Sequence, residues 1–157
     1  IPAASIDFCT LADLKAGKSI YHDFTNKELI RKGFDVPEYS SSRAADILAD
    51  SLARHDFILY EYFLTDKAGH TRSMENAVKV LKELDRFLVR LLSRADLSSS
   101  TVLLASDHGN IEDLSRRSHT SNAVPFMAWG RQHHRALEGI SSLTDITPRI
   151  LNMLEKD

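Results

Sequence analysis

The chain has 157 residues, 43% hydrophobic and 27% charged, the proportions of a globular domain long enough to bury one core. Its formal net charge of -2 offers no basic surface to a phosphate backbone, so nucleic acid is not an expected partner. The lone cysteine, Cys9, rules out an intrachain disulfide framework or a thiolate metal cage.

No apolar run approaches the about 20 residues a membrane span needs, and no signal-peptide pattern opens the chain. The expected setting is therefore cytoplasmic, with no membrane partner. The first residue is Ile1 rather than Met, which implies processing or truncation.

Ile1 to Leu14 is weakly patterned and reads as an irregular lead-in. Lys18 to Phe24 alternates (Ile20, His22, Phe24) and predicts a short strand, turned by Asp23 to Asn26. Ser40, Ser41 and Ser42 supply capping hydroxyls for a helix carrying Ala44, Ile47, Leu48 and Leu52 to about His55. Asp56 to Leu64 is rich in aromatic and branched residues, the composition of a buried strand. Ser73 to Arg94 sets Ala77, Val80, Leu81, Leu84, Phe87, Leu88, Leu91 and Leu92 at the spacing of an amphipathic helix. Thr101 to Ala105 and Pro125 to Trp129 predict two further strands. Thr144 to Leu154 predicts a closing helix that Thr144 or Asp145 can cap, provided Pro148 lies in its first turn. Strands alternating with amphipathic helices predict a single α/β domain over 1–157, a mostly parallel sheet with helices on both faces.

In such sheets, function gathers beyond the carboxyl ends of strands. Asp66 and His70 follow the strand expected to end at Leu64, Asp107 and His108 follow Ala105, and His119 precedes the Pro125 strand. Carboxylate and imidazole together suit a zinc- or manganese-type ion. Gly69 would let the first loop turn tightly, and Gly109 would break the second strand. A lone Asp–His pair is more often a cap or a hydrogen-bonded pair; three such pieces at strand ends are a stronger signal. His22, His55, His133 and His134 lack that setting and read as surface or structural.

Three segments together carry a family likeness: Thr65-Asp66-x-Ala68-Gly69-His70, Asp107-His108-Gly109-Asn110-x-Glu112-Asp113 and His119-Thr120-x-Asn122-x-Val124-Pro125-Phe126. They resemble the metalloenzyme domain of the alkaline phosphatase superfamily, most of all the cofactor-independent phosphoglycerate mutases. The match in order and spacing runs from about Ser41 to the end, and Thr144 to Leu151 resembles the helix that closes these enzymes.

The resemblance implies a three-layer α/β/α fold and a phosphatase or phosphomutase acting on a small phosphorylated metabolite. It implies two divalent ions, zinc or manganese. One would be held by Asp66, His70 and His119, and the second partly by Asp107 and His108. Lys67 and Arg72 flank the first motif, as contacts for an anionic substrate or as ordinary solvated charges.

Those families also use an upstream aspartate and a Ser or Thr nucleophile. Neither has a counterpart here, since Ser5-Ile6-Asp7 has the wrong order. The fold is therefore expected to be incomplete and the chain inactive alone. Three arrangements fit: a fragment, a subunit whose partner chain supplies the nucleophile-bearing N-terminal half, or a stand-alone metal-binding or interaction domain. Lys15-Ala16-Gly17-Lys18-Ser19 ends like a phosphate-binding loop, but Ala12 stands where that motif needs glycine. Cys9-Thr10-Leu11 does not fit the sulfatase signature.

Overall fold

The computed structural model describes residues 8–155; Ser5, Ile6 and Asp7 lie outside them. Seven helices and two strands follow one another: α1 (Leu11–Lys15), α2 (Lys27–Arg31), α3 (Ser41–Leu52), α4 (Leu64–Thr71), α5 (Met74–Arg94), β1 (Thr101–Ala105), β2 (Phe126–Gly130), α6 (His133–Leu137) and α7 (Ile146–Leu154). No helix among the described residues is long and apolar enough to cross a membrane.

Helix α3 starts where its serines predict: the Ser40 hydroxyl accepts from the Arg43 N–H. Ser73 caps α5 in the same way through Asn76. The apolar stripes of α3 and α5 meet over a core built from Ala44, Ala45, Ile47, Phe87 and Leu91, closed by Leu14, Phe24, Leu29 and Tyr39. Phe24 stacks on Phe87 with ring centroids 4.6 Å apart, and on Tyr62 at 5.0 Å. The Tyr39 hydroxyl ties this layer to α1 by donating to the Leu14 carbonyl at 2.5 Å.

Two expected strands are absent. Residues 18–24 form bends and turns, and 56–63 run without a strand partner. The Tyr60 hydroxyl bridges these segments by donating to the Tyr21 and His22 carbonyls at 3.0 Å. A side-chain hydroxyl, not a backbone ladder, links the two segments. The apolar run also ends in a helix, since α4 begins at Leu64.

The sheet among the described residues has two strands, and they are antiparallel, with Val102 opposite Trp129 and Leu103 opposite Ala128. A mostly parallel sheet is therefore not what these residues build. Residues 106–125 return the chain without the helical crossover that a parallel pair requires. Gly130 closes β2 with φ +99, where a Cβ would lie 2.1 Å from the Ser100 carbonyl oxygen. Pro148 sits in the first turn of α7, as expected, and a 3-10 turn capped by Ser142 precedes that helix. Asp145 occupies the cap position of α7 but directs its carboxylate back to the Ser141 and Ser142 N–H groups.

Candidate metal centre

Asp66 and His70 lie on α4, not in a loop. Their separation of four residues puts both on one helix face, with Asp66 Oδ1 3.3 Å from His70 Nε2. Gly69 therefore serves close approach rather than a tight turn. It is buried in the helix, and a Cβ there would lie 2.4 Å from the Asn110 side-chain oxygen. Asn110 is itself buried and donates from Nδ2 to both Asp66 Oδ1 (2.6 Å) and the Asp66 carbonyl (3.1 Å). The loop after β1 is thereby fastened to α4.

The two histidine loops meet at a bridge between Gly109 and Thr120, where the Thr120 N–H donates to the Gly109 carbonyl at 2.8 Å. The preceding residues, His108 and His119, consequently stack with centroids 3.6 Å apart and planes within 15°. His119 Nε2 stands 3.1 Å and His108 Nε2 3.9 Å from Asp66 Oδ1. Asp66, His108 and His119 each offer a ligand atom within 4.8 Å of the others.

The donor chemistry fits a divalent cation. His70 Nδ1 lies 2.6 Å from the Arg117 carbonyl, which can only accept, so Nδ1 carries the hydrogen. In the neutral ring this leaves the Nε2 lone pair aimed at a carboxylate oxygen, an arrangement a shared cation resolves. His108 Nδ1 is buried without a hydrogen-bond partner. Burial pushes the Asp66 carboxyl up, but the Asn110 hydrogen bond and the imidazole charges outweigh it and hold the group below its ordinary value.

The grouping differs from the sequence expectation. His108 joins Asp66 and His119, while His70 reaches Asp66 from beyond that triad. Asp107 stands at the rim, 87% exposed and 3.7 Å from His108 Nε2. Lys67 turns away from the cluster to pair with Glu28 at 2.5 Å, and Arg72 donates from Nε to the Leu114 carbonyl at 3.3 Å. His22, expected to be surface or structural, is the latter: it is half-buried, tilted against Tyr21 and Phe63 and 3.4 Å from Glu28. Burial pushes its pKa down. Asn110 and Glu112 hold the site without having been among its expected residues. Both stand inside the Asp-His-Gly-Asn-x-Glu segment, where a buried amide and a carboxylate beside ligands were the available signal.

The family model for the Metalloenzyme superfamily matches residues 17–157. The chain belongs to the Metalloenzyme superfamily. Among curated relatives, it is 31% identical over 127 residues to the 2,3-bisphosphoglycerate-independent phosphoglycerate mutase of Pseudomonas syringae pv. tomato, covering 75% of this chain and 25% of the relative. It is 32% identical over 130 residues to the enzyme of that name from Shewanella amazonensis, covering 77% and 25%. This superfamily member thus spans about a quarter of the length of the curated relatives it matches. No solved structure matches the chain.

Proposed function

We propose that this chain is the metal-binding part of a phosphoryl-transfer enzyme, a phosphomutase or phosphatase of small phosphorylated metabolites. The observation that carries this reading is the convergence of Asp66, His70, His108 and His119 on one point in a Metalloenzyme superfamily chain. Asp66, His108 and His119 would hold one divalent ion, zinc or manganese. His70 would turn its free Nε2 to it, and Asp107 would contribute from the rim. Such an ion supplies Lewis-acid neutralisation of phosphoryl oxygens.

The chain's own residues prepare the site. The Arg117 carbonyl selects the His70 tautomer, Asn110 orients the Asp66 carboxylate, and stacking holds the His108 and His119 rings together. Arg72, the C-cap of α4 two residues after His70, would contact an anionic substrate. Lys67, paired with Glu28, would first have to be released.

The nucleophile and remaining metal ligands belong, in this proposal, to polypeptide beyond these residues, in the same chain or in a partner. The short relative coverage supports that division. So do Phe57, Leu59 and Phe63, exposed in the stretch before α4 that has no strand partner among the described residues. In the whole enzyme that segment and the two strands would join a wider three-layer α/β/α arrangement.

The test is metal content after exposure to zinc or manganese, with Asp66→Ala as control. About one ion per chain, lost in Asp66→Ala, is expected for a site with this ligand set. Equal uptake by both proteins would overturn the ligand assignment.

A further inference from the structure

We propose that Glu112 is a positioning residue: its carboxylate clasps the His108 loop to the His119 loop and so sets the separation of two ligands it does not touch. The proposal rests on the metal-site reading above.

No fully buried apolar side chain anchors this loop. The described buried apolar residues run from Leu14 to Leu91 and then skip to Ala136, so none lies between 106 and 125. Hydrogen bonds tie the loop across its length, and Glu112 is where they gather. Oε2 accepts the Asn110 N–H at 2.5 Å, two residues after His108. Oε1 accepts the Thr120 hydroxyl, one residue after His119, and the Asn122 amide at 3.0 Å. The Thr120 bond holds the Glu112 carboxyl below its usual range.

Gly109 makes the approach possible, since a Cβ there would lie 2.2 Å from the Thr120 hydroxyl and 2.5 Å from Glu112 Oε1. The clasp reaches the third ligand as well: Asn110, held at its backbone by Glu112, uses its side chain to hold Asp66. One exposed carboxylate therefore couples the carriers of Asp66, His108 and His119. Ion pairing does not explain its place, because all three of its partners are neutral donors. Once it is removed, the Gly109–Thr120 backbone bridge and the ring stack are left to hold the two histidines together, without a side-chain clasp.

The test is titration of the 157-residue chain with Co2+, whose visible absorption reports ligand number and geometry. Wild type is compared with Glu112→Ala, Glu112→Gln and Asp66→Ala, and metal-free thermal midpoints are recorded beside them. Glu112→Ala is expected to bind Co2+ about 10–100-fold more weakly, the usual loss for an outer-shell partner, with an altered absorption envelope. Because Glu112 is exposed, its metal-free midpoint should stay close to wild type. Glu112→Gln should recover part of the affinity, its amide oxygen accepting from Asn110 while its NH2 group donates to Thr120.

If Glu112→Ala keeps wild-type affinity and spectrum while Asp66→Ala loses the ion, the site stands and the clasp is overturned. If Glu112→Gln restores a lowered midpoint without restoring affinity, Glu112 is purely structural and the clasp is again overturned. If Co2+ binding ignores Asp66, the site reading fails and the clasp falls with it.

Discussion

The helical half, from α1 to α5, and the sheet-and-loop half, from β1 to α7, are held in different ways. Apart from Ala136, every described buried apolar side chain lies in the helical half. In the other half the loop of residues 106–125 is secured by Glu112, Asn110 and the Gly109–Thr120 bridge. Apolar burial is non-directional and supplies stability; hydrogen bonds are weak in net energy but fix angles and distances. The molecule places its folding energy beside the site and its geometry within it. Asp66 stands at the seam, on a helix of the first half and bonded to a loop of the second.

The largest test of that division is Phe87→Ala. Phe87 is 2% exposed and stacked on Phe24, so truncation should cost about 3–5 kcal/mol, read by denaturant unfolding. A loss no larger than that of a surface substitution would break the comparison.

Gly69→Ala tests the seam. The new methyl would displace the Asn110 side chain, at about 1–3 kcal/mol, and loosen Asp66 at the same time. A crystal structure of the variant should show Asn110 moved away from Asp66.

The smallest effect concerns Asp46, bound by Arg90 at 2.8 and 3.1 Å across α3 and α5. The Arg90 hydrogen bond holds the Asp46 carboxyl below its ordinary 3.8. A carboxylate depressed in the folded state stabilises at pH above its unfolded value, and that contribution fades as pH falls toward the folded one. Asp46→Asn should therefore be slightly less stable than wild type at neutral pH, with the gap closing in acid. Thermal melts across that range check it, and a gap that widened in acid would reverse the sign.

The same contrast governed what the sequence could reveal. Helices α3 and α5 were legible because their apolar residues recur at helical spacing behind serine caps, and β1 and β2 because they are short apolar runs. Helices α1, α2 and α6, of five residues each, are too short to display a period. The run Asp56 to Leu64 has strand composition, but no strand among the described residues pairs with it. The antiparallel pairing depends on the path of residues 106–125, which composition does not encode.

At the site, the motif brought Asp66, His70, His108 and His119 to notice, and their side chains gather as one group. Their partition was not legible, because adjacency in sequence does not fix side-chain direction. Asp107 turns to solvent while His108 turns inward. Lys67 follows Asp66 by about 100° of helix rotation and so meets Glu28 instead of the cluster.

The Val102–Trp129 pairing gives the two halves separate optical voices. Trp129 is the only tryptophan in the sequence and sits on β2, whereas all four tyrosines, Tyr21, Tyr39, Tyr60 and Tyr62, belong to the helical half. Emission excited selectively at the indole reports the surroundings of Trp129 on β2, whereas tyrosine emission, part of which passes to the indole by energy transfer, arises in the helical half. Without any attached dye, the chain can signal whether the loop half changes while the core stays intact.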